Sequence, residues 1–491
     1  MIIEQLHSLN RQQVPADARV KAMELYRPAI SEVTLGLARQ YCNQPLPLSS
    51  SAIESARAAR ALYGELAYGY KHAILAEEQK LFSFGSEKRL ARLIQRAMEA
   101  LGNLLLVAYH SYSTAPAGVW AEMHHLYIHG LQQSLQDIEV DIGYNTSSVN
   151  LTYKRALLLP LADLHHLTST EINWVVDYLE RFAHHAQLRP FSKPENPVGV
   201  HLVRLASDKP PEPFAKHNEL NGTDTDIQVS DILLLTIILA QLAYHHLSML
   251  QVNEPPKNLN LPESAQDARY QDLLAHLIKQ WGKPPRRLFS RMKKNDAINM
   301  CVGLSAVHGF LSKNAAETRP ANLSEQNEIS LNFSDSPIDK DGGSTSHHAR
   351  WMVVNESAGG MAMSKLADAQ VALRVGELIG LRTDNSSQWN LAALRWAVNS
   401  EYTPLGIGAQ LLAPTAQAVS IHGPGLAIPA NALLLPELAA LNQSATLITA
   451  PGTYKPARKL VLDEQGKTSQ ILVTRLVERT ASFERFQFSR V

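Results

Sequence analysis

The sequence is poor in cysteine, with only Cys42 and Cys301 among its 491 residues. These two residues are far apart in the chain, and their spacing matches no common metal-binding pattern. The scarcity argues against a disulfide framework. We therefore expect a chain that works in a reducing compartment, which indicates the cytoplasm.

The chain also lacks an excess of charge of either sign, because Lys+Arg and Asp+Glu both number 46. Balanced charge argues against bulk electrostatic binding to DNA, RNA or an anionic membrane, which normally requires a basic face. A local exception is residues 283–294, where six of twelve residues are Lys or Arg.

Long hydrophobic runs are missing as well. The most apolar run, residues 232–243, has twelve residues, whereas a bilayer span needs about twenty. Residues 1–5 include no basic stretch leading into an apolar one, so we expect no secretory signal. These features predict a soluble protein.

Motifs of common catalytic sites are absent from the sequence. It has neither a Gly-x-x-x-x-Gly-Lys-Ser/Thr phosphate loop nor a Gly-x-Ser-x-Gly elbow. Five adjacent histidine pairs occur, but neighbouring helix positions point in different directions and cannot easily share one ion. His125 and His129 have the spacing of a metal pair without a His-Glu-x-x-His pattern. We predict no catalytic residue, no metal and no enzymatic activity.

The first 280 residues are predicted to be mainly helical. Residues 1–140 carry apolar side chains at helical spacing, which predicts an antiparallel bundle. Residues 141–280 form a second, mainly helical region. In it, Thr168 followed by Glu171 is typical of a helix N-terminus.

Two finer predictions concern this second region. Residues 199–206 alternate and are short, which predicts a strand. Ser230 and Asp231 are predicted to cap a buried helix over residues 232–250.

After a proline pair at residues 284–285 the pattern changes from helix to strand. Short apolar segments over residues 281–415, including 299–308, predict a small antiparallel barrel. Residues 313–346 are polar and are predicted to be a flexible insertion. Residues 416–491 are also predicted to be rich in β-strands. The predicted fold class is multidomain α+β: an all-α N-terminal region, an antiparallel β-barrel and a β-rich C-terminal segment.

Three arginines, Arg286, Arg287 and Arg291, lie just before the first predicted strand of the barrel. The planar guanidinium fork binds phosphate in bidentate fashion and stacks on flat rings. The cluster could also be a solvated charge run beside a linker.

A turn of the form Asn-x-Ser-x-x-Gly follows the predicted insertion, with Asn355, Ser357 and Gly360 at its fixed positions and Gly359 before the last. Such a turn lets backbone and side-chain donors approach a ligand closely, although it could equally be a plain hairpin turn. With the arginines, it predicts a pocket for a compact, anionic, aromatic ligand, and a nucleotide fits best.

Together the two motifs resemble those of the PilZ domain family, a bacterial receptor module for cyclic di-GMP. The family has Arg-x-x-x-Arg before the first barrel strand, matched by Arg287 and Arg291, and Asp/Asn-x-Ser-x-x-Gly at a later turn, matched by the turn above. Residues 375–379, 394–398 and 405–411 resemble the strands that follow. The resemblance covers residues 284–412, and the gap between its two motifs is wider than usual because of the insertion.

The resemblance implies that the ligand is cyclic di-GMP and that no other cofactor is needed. Arg287 and Arg291 would clamp its phosphates and contact guanine. Arg286 would influence how many ligand molecules bind.

The turn residues take complementary roles under the same resemblance. Asn355 and Ser357 would hydrogen-bond a guanine edge or a phosphate, while Gly359 and Gly360 would keep the turn open to the ligand.

The function implied is a cytoplasmic effector that couples dinucleotide binding at the barrel to a protein partner of the helical region. Motility, adhesion and biofilm control are outputs of this family, and neither nucleic acid nor membrane insertion is expected. The alternative is a ligand-independent scaffold or adaptor with a degenerate barrel. The two hypotheses differ for Arg287→Ala, which would abolish dinucleotide binding by an effector and change only the surface charge of a scaffold.

Overall fold

The structure is a computed structural model of the chain. It describes residues 2–79, 86–143, 145–215, 228, 230–283, 290–317, 349–366, 371–384, 386, 388–399, 404–423, 429–437 and 444–491. The chain divides into two compact units, the first formed by Met1–Leu288 with Trp396–Leu405 and the second by Phe289–Arg395 with Gly406–Val491.

The first unit begins with a run of seven α-helices. They are α1 (Ile2–Arg11), α2 (Ala16–Tyr41), α3 (Ser50–Glu78), α4 (Ser86–His110), α5 (Val119–Gln132), α6 (Val149–Leu161) and α7 (Ser169–Phe182). A two-stranded ladder of β1 (Val140–Asp141) and β2 (Thr146–Ser147) lies between α5 and α6. The predicted helical N-terminal region is confirmed.

Helical periodicity explains how these helices pack. In α4 the buried residues Ile94, Met98, Leu101 and Leu105 recur every three or four positions, which places them on one face. They belong to one hydrophobic core whose residues extend from Leu6 of α1 to Trp281. No helix among the described residues is long and apolar enough to cross a membrane.

The N-terminus of α7 is fixed by a capping box. Glu171 Oε2 accepts from the Thr168 backbone N at 2.8 Å, and the Thr168 side chain accepts from the Glu171 backbone N. Each side chain satisfies an amide that the first helical turn leaves without a partner. The helix N-terminus predicted at Thr168 is confirmed.

A small sheet and two further helices follow among the described residues of the first unit. The sheet has the order β3-β6-β4-β5, formed by β3 (Gln187–Pro190), β4 (Val200–Val203), β5 (Glu212–Pro213) and β6 (Ile232–Leu235). Helices α8 (Ile237–Gln251) and α9 (Ala268–Trp281) follow. The strand predicted within residues 199–206 is confirmed as β4.

The predicted helix over residues 232–250 is wrong in its first turn. Ile232–Leu235 is a strand that pairs with both β3 and β4, and α8 begins only at Ile237. Four consecutive aliphatic residues fit a strand buried on both faces as well as a buried helix. Pairing with the two neighbouring strands makes this segment a strand rather than a helix. Asp231 therefore lies before a strand and not at a helix cap.

The second unit begins with a closed six-stranded antiparallel barrel in the order β10-β11-β12-β9-β8-β7. Its strands are β7 (Met292–Val302), β8 (Ala349–Ser357), β9 (Gly360–Lys365), β10 (Leu378–Thr383), β11 (Asn390–Val398) and β12 (Gly406–Ala413). The antiparallel barrel predicted from the sequence is confirmed.

One predicted strand of this barrel has different bounds. Residues 299–308 do not form a single strand, because β7 ends at Val302 and helix α10 (Leu304–Glu317) begins two residues later. Gly303 joins the two elements with a φ of +88°, a conformation that glycine adopts without strain. The predicted insertion at 313–346 begins inside α10, and its residues 318–346 lie outside the described part of the chain.

The C-terminal segment is a second closed barrel, in the order β13-β14-β15-β18-β17-β16. Its strands are β13 (Gln417–His422), β14 (Ala430–Leu435), β15 (Thr446–Thr449), β16 (Lys459–Glu464), β17 (Lys467–Arg479) and β18 (Glu484–Arg490). Closure of both sheets agrees with the predicted α+β class and its β-rich C-terminus.

The two barrels share a hydrophobic core. Trp389 and Leu378 of the first barrel belong to one buried cluster with Val307 of α10 and with Leu433 and Phe483 of the second barrel. The side chain of Phe483 is fully buried in this cluster. Helix α10 contacts strands of both barrels, so the second unit folds around apolar surface contributed by both.

Replacement of Phe483 by Ala is expected to destabilise both barrels together. Loss of a buried phenyl ring leaves a cavity and costs about 3–5 kcal/mol. Hydrogen exchange measured by mass spectrometry should show faster exchange in β10 as well as β14. Val477→Ala is the matched control, because Val477 is 47% exposed on β17. Faster exchange confined to the second barrel would contradict a shared core.

Candidate functional site

The predicted Asn-x-Ser-x-x-Gly turn is a tight β-hairpin between β8 and β9. Ser357 pairs with Gly360, which leaves only Ala358 and Gly359 in the loop. The Ser357 hydroxyl donates to the Gly360 carbonyl oxygen at 3.1 Å and closes the turn. The motif therefore lies at one end of the first barrel.

Strand β7 brings the basic segment beside this hairpin. Met292 pairs with Glu356 and Lys293 with Asn355. Continued by one residue, this register places the exposed Arg291 across from Ser357. Two motifs that are far apart in the sequence thus meet at the same edge of the barrel.

The other two predicted arginines, Arg286 and Arg287, lie outside the described residues. They lie five and four residues before Arg291 in the sequence, and their contact with a ligand stays a prediction.

Asn355 carries an acceptor with no partner in the part of the chain that the structure describes. Its Oδ1 atom is buried and makes no hydrogen bond there. A buried polar atom without a partner costs about 1–3 kcal/mol, and other buried atoms of the described chain share this property, among them Tyr270 Oη and Trp281 Nε1 of the helical unit. The Asn355 amide is thus available for a donor brought by a ligand, such as a guanine edge.

Gly360 is required by the close approach of β12. A Cβ atom at this position would overlap the carbonyl oxygen of Ala409 and lie 3.1 Å from the Cα of Gln410. Leu411 N also donates to the Gly359 carbonyl oxygen at 3.1 Å. The second glycine of the turn therefore serves packing between strands, in addition to any contact with a ligand.

Positive charge dominates the start of β7. Arg291, Lys293 and Lys294 are all exposed, and Lys294 Nζ lies 3.7 Å from both Asp296 and Glu356 carboxylate oxygens. The three cations outnumber these two carboxylates, so the surface next to the hairpin carries a net positive charge.

Two further polar residues border the hairpin and were not predicted. Gln410 pairs with Gly360 across β12 and β9, and its Oε1 accepts from Arg395 Nε of β11 at 2.7 Å. Their only signal in the sequence is their place in the segments that resemble later PilZ strands, and strand register was needed to bring them to the turn.

Neither cysteine is suited to nucleophilic chemistry. Burial raises the pKa of Cys301 to about 12 and that of Cys42 to about 11. Both thiols therefore stay protonated at neutral pH, and the thiolate is the reactive form.

The histidine and acidic side chains do not gather into a metal centre in the described ranges. No group of three His, Cys, Asp or Glu residues there could hold an ion. His129 instead places its Nε2 atom 3.0 Å from Glu78 Oε1, a contact between α5 and α3.

A closed antiparallel barrel whose first strand follows an Arg-x-x-x-Arg run and lies beside an Asn-x-Ser-x-x-Gly hairpin defines a PilZ domain. Residues 200–332 and 313–418 match the family described as "Cyclic-di-GMP receptor FimW, middle PilZ domain". This part of the chain is thus a PilZ domain, and it lies in a longer protein that has a helical N-terminal region.

The flanking parts of the chain match families of the same protein. Residues 1–194 match "Cyclic-di-GMP receptor FimW, N-terminal domain" and residues 415–491 match "FimW C-terminal beta-barrel domain". The chain is 25% identical to the Cyclic-di-GMP receptor FimW of Pseudomonas aeruginosa over an alignment of 534 residues, which covers 98% of this chain and 86% of that protein. No solved structure matches the chain.

Gly360→Ala is expected to loosen the hairpin. The added methyl group must push β12 away, and overpacking of this kind costs about 1–3 kcal/mol. Hydrogen exchange of the β9 and β12 amides should become faster. Gly309→Ala is the control, because nothing lies within 4 Å of its new Cβ in α10, and alanine there should add about 0.5–1 kcal/mol. Equal effects of the two changes would contradict the packing role of Gly360.

Proposed function

We propose that this chain is a receptor for cyclic di-GMP and that the edge of the first barrel binds the dinucleotide. The residues assigned to the ligand are Arg286, Arg287, Arg291, Asn355, Ser357, Gly359 and Gly360. The similarity of all three parts of the chain to a protein named as a cyclic di-GMP receptor supports this ligand.

The observation that carries the proposal is the nearness of Arg291 to the hairpin, because the register that pairs Lys293 with Asn355 puts Arg291 across from Ser357. Register places a guanidinium and a buried, unpartnered amide oxygen on adjacent strands. A cyclic dinucleotide offers phosphates to the first and guanine N–H donors to the second. This pairing of charge and hydrogen-bond chemistry suits a guanine nucleotide better than a purely anionic ligand.

Signal transmission follows from the place of the arginines before β7. Phosphate binding draws these side chains from the connection between the units onto the barrel. The ligand then favours one arrangement of the two units by its difference in affinity for them, typically about 1–3 kcal/mol. The helical unit would present this change to a protein partner in the cytoplasm, with motility, adhesion or biofilm control as output and no catalysis by the chain.

Isothermal titration of the full chain with cyclic di-GMP tests the site. Arg291→Ala removes a charge-assisted contact worth about 1.5–3 kcal/mol, so affinity should fall by about one to two decades. Arg350→Ala is the matched control, since Arg350 lies on β8 and pairs with Asp384 at 2.8 Å. GTP and cyclic di-AMP should bind far more weakly.

Two outcomes of this titration would favour the scaffold alternative. One is a wild-type chain that gives no heat at high ligand concentration. The other is equal affinity of the Arg291→Ala and Arg350→Ala variants, which would mean that the barrel edge is only a charged surface.

Asn355→Ala and Asn299→Ala should have opposite effects on binding and stability. Asn355 Oδ1 has no described partner, so its loss should leave the free protein's thermal midpoint unchanged or higher while weakening the ligand-induced rise. Asn299 donates to Asp384 Oδ1 at 2.6 Å and is buried. Its loss should lower the midpoint and spare binding. A stability loss in Asn355→Ala would contradict a ligand role for this amide.

A further inference from the structure

A row of neighbouring residues extends the candidate site toward the second barrel. Ser357 on β8 pairs with Gly360 on β9, and Gly360 pairs with Gln410 on β12. Gln410 Oε1 in turn accepts from Arg395 Nε on β11 at 2.7 Å. Strands lie about 4.8 Å apart, so the Arg395 backbone is about 10 Å from the glycine turn. The guanidinium already reaches the residue directly across from that turn.

The other side of the Arg395 guanidinium is held by the second barrel. Its Nη1 atom forms an ion pair with Glu478 Oε1 of β17. Arg395 and Glu478 remain 27% and 19% exposed, so the pair is open to solvent and to solutes. The contact therefore joins the strand next to the site with a strand of the C-terminal barrel.

Glu478 also lies opposite a second guanidinium. It pairs in register with Arg485 of β18, whose Nε donates to Thr446 Oγ1 at 3.0 Å. Burial lowers the pKa of Arg485, and the nearby Glu478 carboxylate opposes this effect. One carboxylate thus faces two cations, which leaves this region with more positive than negative charge.

We propose that Arg395 is a further phosphate-binding residue of the nucleotide site and that Glu478 of the second barrel competes with the ligand for it. This inference rests on the proposed cyclic di-GMP function. The C-terminal barrel thereby sets the affinity of the first barrel for the dinucleotide. The Glu478 carboxylate must release the Arg395 guanidinium before a phosphate can bind it.

The physical reason is that two anions, the Glu478 carboxylate and a ligand phosphate, compete for one guanidinium. Arginine keeps its charge at any physiological pH, so it cannot escape competition by losing a proton. In the free protein its fork is divided between the Gln410 amide oxygen and the Glu478 carboxylate. A phosphate offers the same bidentate geometry with more charge. Removal of the competing carboxylate should therefore favour the ligand.

Titration of four full-length proteins with cyclic di-GMP tests the inference: wild type, Glu478→Gln, Arg395→Gln and the double variant. We expect Glu478→Gln to bind about three- to tenfold more tightly, the effect of a partly exposed ion pair. Arg395→Gln should bind about tenfold or more weakly, and the double variant should match it. Arg395→Lys, which keeps the charge without the fork, should lie between wild type and Arg395→Gln.

Glu464→Gln is the matched control, because Glu464 pairs with Arg490 at 2.7 Å in the same barrel. It should leave affinity unchanged, and thermal melting of every variant checks that the fold is intact. Unchanged or weaker binding by Glu478→Gln would overturn the inference. So would an equal gain from Glu478→Gln in the Arg395→Gln background, since the effect would then not pass through Arg395. Failure of the wild type to bind would instead contradict the proposed function itself.

Discussion

Burial of apolar side chains between the two barrels is the constraint on which the second unit depends. A six-stranded barrel has a narrow interior, so much of the apolar surface of its strands must be covered from outside. Helix α10, Trp389 and Phe483 provide that cover, and each is contributed by a different part of the unit. Cys301 of β7 and Leu412 of β12 belong to this cluster, so two strands beside the candidate site pack against apolar surface that includes a residue near the end of the chain.

The barrel could be predicted from the sequence because its signals are local. Short apolar runs, turn residues and the order of the two motifs all lie within segments of a few residues. The predicted helix at Ile232 failed because four buried aliphatic residues carry no period that separates strand from helix. Helix α10 was missed for a related reason. Its apolar residues continue directly from β7, and only the positive φ of Gly303 marks the boundary.

The candidate site was predictable only in part, because some of its contacts join residues that are far apart in the sequence. Arg291, Asn355, Ser357 and the two glycines belong to recognisable motifs, and pairing of β7 with β8 brings these motifs together. Gln410 and Arg395 belong to no motif. They reach the site through strand pairing, and Glu478 is 83 positions from Arg395 in sequence. Such contacts follow from register, which residue spacing alone does not determine.

Strand β7 is paired differently along its two halves. Ile298–Met300 pairs with both β8 and β10, whereas the half from Met292 to Ala297 pairs only with β8 among the described strands. That first half is thus a free sheet edge, the kind of surface through which chains aggregate by adding strands to one another. Its exposed Lys293 and Lys294 and the bulge between Lys293 and Asp296 oppose such pairing. The cations that suit an anionic ligand therefore also keep separate molecules apart.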